Sequence, residues 1–334
     1  MKAYTISHGD GLDKLKIIDK ASPIMKDDQL RIRWHATSLN YHDYLVATGA
    51  IKVSEGRIPM SDAAGEVIEK GKLVNEFEIG DKVMPLFFPN WTDGPADYHK
   101  VAEISGESVD GYMAKESCLH SWQLTKIPEN YSYAEAAVLP TAALTAWNAL
   151  VVNGSVKMGD KVLIEGTGGM SLCALQFAKA AGAEVYATTS SEEKAKRLLA
   201  LGVKQVFNYR EDALWGKSIF KASGGGMDHV LDVGGGSTMK QSIEACKIGA
   251  HVHAIGILGN GRKGEITFPK LFFKFIKMEG LAVGSRKMQE EMVKAINVTN
   301  IKPIIDKIFG FDELAQAFEY QASGRQFGKI VLEW

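Results

Sequence analysis

The run Gly166-Thr167-Gly168-Gly169-Met170-Ser171 follows an apolar stretch, Val162 to Glu165, and precedes a helical pattern, Leu172 to Ala181. Residues without bulky Cβ groups let backbone N–H groups approach a pyrophosphate, and the N-terminus of the next helix stabilises its negative charge. Where a third glycine would complete Gly-x-Gly-x-x-Gly the chain has Ser171, which is still small and suits a helix cap. Strand, turn and helix together point to a dinucleotide site built on Gly166, Gly168, Gly169, Met170 and Ser171. About 20 residues further on, an Asp or Glu would hold an unphosphorylated ribose. This chain has Thr188-Thr189-Ser190-Ser191-Glu192-Glu193-Lys194 there. Two hydroxyls and a lysine suit a 2′-phosphate, which a carboxylate would repel. The expected cofactor is NADPH, with Ser190, Ser191, Lys194 and Tyr209 at its phosphate end, although Ser191 also suits the cap of a helix Glu192 to Leu201.

Further glycine turns follow later strand-like runs: Val233-Gly234-Gly235-Gly236, Ile255-Gly256-Ile257 and Val283-Gly284-Ser285. In a doubly wound sheet the ligand lies beyond the carboxyl ends of the strands, so Gly234, Gly256, Ile257, Gly284 and Ser285 are assigned to the nicotinamide half. Each also reads as a tight connection.

These turns need a parallel sheet behind them. Candidate strands are Lys161 to Glu165, Glu184 to Thr189, Gln205 to Asn208, His229 to Val233, His251 to Ile255 and Leu281 to Val283, with helical stretches between them. Six such strands suit a doubly wound sheet. The N-terminal third differs, with short alternating runs such as Leu30 to Ala36 and Ala63 to Glu69 broken by Gly, Pro and Asp turns, an antiparallel texture. After Gly284 come a helix, Gln289 to Val298, a strand near Ile305 to Phe309, a helix from Asp312 and a strand Lys329 to Glu333, a tail expected to rejoin the first domain. The fold class is therefore α/β, with a β-rich domain from 1–122 and 287–334 and a six-stranded dinucleotide-binding domain from 123–286.

With 39 basic and 40 acidic residues the net charge is -1, leaving no field to gather nucleic acid or an anionic membrane, so a small-molecule partner is expected. The three cysteines, Cys118, Cys173 and Cys246, are too far apart for metal knuckles and suit a reducing compartment. No apolar run approaches the roughly 20 residues needed to span a bilayer, and Met1 to His8 lacks signal-peptide features. The expected location is the cytoplasm.

With these motifs in place, the chain resembles the medium-chain dehydrogenase/reductase superfamily, and within it the zinc-free quinone oxidoreductase and alcohol dehydrogenase-like branch. The resemblance rests on Ser38-Leu39-Asn40-Tyr41-His42-Asp43, Pro59-Met60-Ser61-Asp62-Ala63-Ala64-Gly65-Glu66, Pro140 to Trp147, Gly166 to Ser171 and Phe327-Gly328-Lys329-Ile330-Val331. It implies a GroES-like catalytic domain from both chain ends, a Rossmann domain between them and a homodimer. Thr145, in Leu144-Thr145-Ala146-Trp147 ahead of the Rossmann strands, suits a hydroxyl contact with the cofactor or helix packing, and Lys329 is assigned to the cofactor contacts. In zinc-dependent members the metal is held by a cysteine near the position of Ser38, by the histidine of a Gly-His-Glu motif, and by a later cysteine or carboxylate. Here that motif aligns with Met60-Ser61-Asp62. Serine and methionine are poor zinc ligands and Asp62 alone cannot complete a tetrahedral site, so no metal is expected.

Without zinc, simple alcohol oxidation loses its electrophile. A quinone, enone or enal needs less help, because the anion formed on hydride delivery is delocalised. The resemblance places Asn40 beside nicotinamide and substrate, where it orients either or holds an Asx turn. Tyr41 is a donor to a developing oxyanion or a packing residue; Asp43 and Asp62 polarise donors or link loops through buried hydrogen bonds. The leading expectation is a zinc-independent NADPH-dependent reductase of activated acceptors. An NAD(P)-dependent alcohol dehydrogenase and a non-catalytic NADPH-binding sensor are the alternatives. The aromatic loop Phe87 to Trp91 lines the substrate site or covers the core. A loop Gly259 to Gly264 followed by an apolar helix, Leu271 to Ile276, is expected to meet a second subunit.

Overall fold

A computed structural model describes residues 1–7, 11–259, 263–266 and 268–334. The chain divides into two compact units, Met1–Leu144 with Val283–Trp334, and Thr145–Ala282.

In the first unit a sheet runs in the order Ile305–Gly310, Lys329–Glu333, Gln29–Ser38, Ala64–Lys70, Lys82–Pro85 and Leu124–Lys126, with Glu116–His120 also paired to Gln29–Ser38. Along Gln29–Ser38 the residues Leu30, Ile32, Trp34 and Ala36 are all fully buried, the period-2 pattern of a strand with one face on a core. Leu30, Ile32 and Trp34 pack with Val67, Phe77, Val83 and Tyr112. The C-terminal tail does rejoin this unit: Val331 pairs with Ser38 and Glu333 with Ala36, antiparallel. That pairing brings Lys329 to the end of the strand that carries Ser38.

The second unit holds a six-stranded sheet in the order Gln205–Asn208, Glu184–Thr189, Lys161–Glu165, Met227–Asp232, Cys246–Ala254 and Lys277–Gly280. Every neighbouring pair is parallel. Chain order reverses on either side of Lys161–Glu165, the switch point at which such sheets bind ligands. The last strand is Lys277–Gly280, not Leu281 to Val283 as the apolar run suggested. Val283 instead adopts φ 51, a left-handed conformation that a β-branched residue rarely takes and that no strand continues through. The apolar helix likewise spans Phe268–Phe273 and ends before Phe275, whose φ is 50. Of the expected Gly259 to Gly264 loop, Asn260, Gly261 and Arg262 lie outside the described residues. Among the described residues no helix is long and apolar enough to cross a membrane. None of the three cysteines is in a disulfide; Cys173 and Cys246 are buried and Cys118 is half-buried.

Candidate functional site

Polar residues of the first unit converge on one carboxylate. Asp62 is fully buried. Its Oδ2 accepts from Ser38 Oγ at 2.8 Å and Asn40 Nδ2 at 2.8 Å, and lies 3.4 Å from Lys329 Nζ. Its Oδ1 accepts from Thr141 Oγ1 at 2.6 Å. Lys329, only 4% exposed, donates to Asn40 Oδ1 at 2.6 Å and to the Leu39 carbonyl at 2.7 Å. Asn40 gives its second amide hydrogen to Ser61 Oγ at 3.2 Å. Burial pushes the Asp62 carboxyl above the usual carboxylate range, while Lys329, Thr141 and Asn40 pull it back. An ammonium and three further donors around two oxygens is the setting of a buried ion pair whose hydrogen-bonding capacity is filled.

Local backbone explains the convergence. Met60, a fully buried non-glycine residue, is held at φ 77, and its carbonyl accepts from Tyr112 N at 2.9 Å. A Cβ on Gly111 would stand 2.1 Å from the Met60 carbonyl oxygen, so only glycine permits this turn. Strained buried backbone persists where its surroundings over-determine it, commonly at functional sites. On the other side, a π-type helical stretch, Leu139–Ala143, widens the turn that presents Thr141.

Each expected catalytic residue has a definite place. Asn40 and Asp62 belong to the network. Asp43 does not reach it as a polarising group: its carboxylate, 1% exposed, accepts from the backbone N–H of Asn40 and of Ser61, both at 2.9 Å, which makes it the loop-linking residue. Tyr41 is 44% exposed at the start of the helix Tyr41–Ala47, its ring stacked on Tyr44. His42 turns away, with Nε2 at 2.6 Å from Glu107. Lys329, expected among the cofactor contacts, is joined to Asn40 and Asp62. Phe87, Phe88 and Trp91 are buried and pack on one another, with Phe87 also edge-on to His42.

The residues that would hold a catalytic zinc do not fit one. Ser38 and Ser61 are neutral hydroxyls already engaged, and the remaining carboxylate is paired with a lysine ammonium. A divalent cation and that ammonium would repel each other across one oxygen.

In the second unit, Gly166 has φ 71 at the end of Lys161–Glu165, and Gly168 precedes the helix Gly169–Ala180. A Cβ built on either meets nothing within 4 Å, so the space above the turn is open for a ligand to approach the backbone. This fits the pyrophosphate of a dinucleotide. Ser171 is not the helix cap: it is buried, and its hydroxyl donates to the Glu165 carbonyl at 2.7 Å, tying the turn together. At the ends of the neighbouring strands, Tyr209 Oη donates to Ser190 Oγ at 3.2 Å, and Ser191 caps its helix by accepting from Lys194 N at 3.3 Å. Register pairing of Asn208 with Thr189 is what sets Ser190 beside Tyr209. Gly234 and Gly256 have crowded surroundings, Thr238 at 2.4 Å and the Val233 carbonyl at 2.6 Å from a built Cβ, so close packing requires them. Ile257 is 55% exposed, Gly284 packs on Leu144 and Met288, Ser285 caps the helix Arg286–Thr299, and Thr145 is buried.

A buried acid pair beneath these turns escaped the sequence reading. Glu165 and Asp232 end adjacent parallel strands whose register pairs Ile164 with Leu231. Ser242 Oγ lies 2.7 Å from Glu165 Oε1 and 2.6 Å from Asp232 Oδ2. One hydroxyl hydrogen cannot serve both oxygens, but a protonated Glu165 donating to Ser242, which donates onward to Asp232, satisfies all three. Burial, reinforced by the Asp232 charge, pushes Glu165 up to about 8. Asp232 also accepts from Gly235 N at 2.7 Å, and Glu165 from Val233 N at 3.2 Å, so the pair braces the second glycine turn.

Comparison with known proteins agrees with this architecture. Residues 26–129 match the alcohol dehydrogenase GroES-like domain and residues 169–298 the zinc-binding dehydrogenase family. A zinc-type alcohol dehydrogenase-like protein of Schizosaccharomyces pombe is 37% identical over 97% of this chain and 96% of its own. The 2-methylene-furan-3-one reductase of Solanum lycopersicum is 29% identical over 99% of this chain and 79% of its own. The solved quinone oxidoreductase of Coxiella burnetii is 30% identical, with a TM-score of 0.81 covering 100% of this chain and 99% of that one. On the two matched domains, the full-length likeness and the shared sheets, the chain belongs to the medium-chain dehydrogenase/reductase superfamily of oxidoreductases.

Proposed function

We propose that this chain is an NADPH-dependent, zinc-independent reductase of small conjugated acceptors, a quinone, an enone or an enal. The observation that carries the reading is the Lys329–Asp62–Asn40 network, in which a lysine ammonium and an amide already occupy Asp62, the one carboxylate among the residues aligned with the zinc ligands. Bound NADPH would supply the hydride. The Gly166–Ser171 turn would hold the pyrophosphate through backbone N–H groups, and Ser190, Ser191, Lys194 and Tyr209 the 2′-phosphate, where a carboxylate would repel it.

Delivery of hydride to the β-carbon of an enone moves charge onto its carbonyl oxygen, and the conjugated anion tolerates it with few donors. The exposed phenol of Tyr41 would donate to that oxygen. Asn40, Asp62 and Lys329 act as positioning residues that fix the start of its helix, and solvent supplies the proton. The reductase from Solanum lycopersicum is named for an exocyclic enone, which supports this acceptor class. The alcohol dehydrogenase reading is favoured by the name of the relative from Schizosaccharomyces pombe. We also place the protein in the cytoplasm as a homodimer. The exposed Phe268, Phe272, Phe273 and Phe275 beside the edge strand Lys277–Gly280 supply an apolar face for a second copy. The test of the acceptor class is NADPH oxidation against a quinone, an enone, an enal and a simple aldehyde. Turnover of the conjugated members is expected; turnover of the aldehyde alone would reject the proposal.

A further inference from the structure

Three histidines of the Thr145–Ala282 unit share one face of its sheet. The register pairs His229 with His251, and His251 and His253 are two apart on a single strand, so their side chains leave on the same side. One nitrogen of each ring lies within 4.8 Å of the others. His229 and His251 wall a cavity of about 330 Å³, shared with Asp160, Asp228, Gly249 and Lys277 at the amino-terminal ends of the strands. The glycine turns follow the opposite ends.

The hydrogen bonding of this group is incomplete. His253 is fully buried, and both its ring nitrogens lack a partner; so does His229 Nδ1. Buried ring nitrogens are ordinarily paired, and an exception calls for a ligand, an ion or a water. We propose that His229, His251 and His253 bind one divalent transition-metal ion of the imidazole-preferring class, such as Zn²⁺, Co²⁺, Ni²⁺ or Cu²⁺, with Asp160 orienting His229.

The chemistry of the site suits that class. Asp160 Oδ2 stands 3.3 Å from His229 Nε2, the carboxylate–histidine arrangement that fixes a ligating ring. Glu279 stands 3.5 Å from His251 Nε2, and Asp228 pairs with Lys247, one of three lysines, with Lys157 and Lys277, that line the cavity. Tetrahedral nitrogens on zinc lie about 3.3 Å apart, so binding draws the ring nitrogens together by at most about 1.5 Å. The ion cross-links two adjacent strands away from the cofactor turns and stabilises the unit by mass action. The inference is independent of the acceptor proposed above.

The test uses the tag-free, chelator-stripped full chain titrated with Co²⁺, read by its visible d–d absorption. Wild type should take up one equivalent with the bands of a nitrogen-ligated ion, and Zn²⁺ should displace it. His251→Gln, at the cavity wall, should keep the melting temperature of the stripped wild type and lose the bands. Asp160→Asn should weaken binding about 10- to 100-fold. Asp62→Asn, in the other unit, should bind as wild type does. No uptake by wild type, bands surviving in His251→Gln, or bands lost in Asp62→Asn would each overturn the assignment.

Discussion

Replacing Glu165 by Gln should flatten the dependence of stability on pH. Glu165 has an ordinary pKa of about 4.3 in an unfolded chain and about 8 in the folded one, raised by burial and by the charge of Asp232. A carboxyl with a raised folded pKa binds its proton more tightly when folded, so stability is complete below the unfolded value. It is lost as pH climbs through the folded value, at up to about 1.4 kcal/mol per pH unit for one proton. Across that window the loss amounts to a few kcal/mol, a sizeable share of the roughly 5–15 kcal/mol that holds a protein folded. The titration belongs to the Glu165–Asp232 pair as a unit. Gln keeps one oxygen for the Val233 N–H and an amide N–H for the Ser242 hydroxyl, with nothing to ionise. Thermal melts from about pH 5 to about pH 9 would read this out. Wild type should lose several degrees between about pH 5 and about pH 8 and level off above that, and Glu165→Gln should lose far less. Parallel curves for the two proteins would refute the shared proton.

Lys329→Met should destabilise the chain by about 3–5 kcal/mol, because it leaves Asp62 buried without its cation. Adding Asp62→Asn should restore part of that loss, and denaturant melts of both variants would show it. Lys194→Ala should weaken NADPH more than NADH, because only NADPH carries a 2′-phosphate; equal losses in fluorescence titrations would contradict the assignment. Phe272→Asp should convert the dimer to a monomer, since Phe272 is 70% exposed in the proposed apolar face. Sedimentation velocity at micromolar protein reports this directly, and a wild-type monomer would end the idea.

Much of this was legible in the chain. The glycine turn announced itself because strand, turn and helix periodicities meet at Gly166, and the last strand, Lys329–Glu333, has the bounds read from its short apolar run. What stayed hidden depends on pairing between distant segments. Lys329 reaches Asn40 across 289 residues only because Lys329–Glu333 lies beside Gln29–Ser38. Glu165 and Asp232 each look like the polar end of an apolar strand, and their union needs the register of two parallel neighbours. The spacing of His251 and His253 signals one face, but His229 joins them only through that same kind of register. Local signals also misled. Leu281 to Val283 is apolar enough for a strand, yet the edge position went to Lys277–Gly280, whose Lys277 and Gly280 are exposed and whose sequence shows no alternation.

The central claim is that hydride transfer here needs no zinc. Its most direct test is NADPH-driven reduction of an enone by chelator-treated, metal-assayed protein, measured before and after zinc is restored. Equal rates in both states are the predicted result. Activity that appears only when zinc is added back would contradict it.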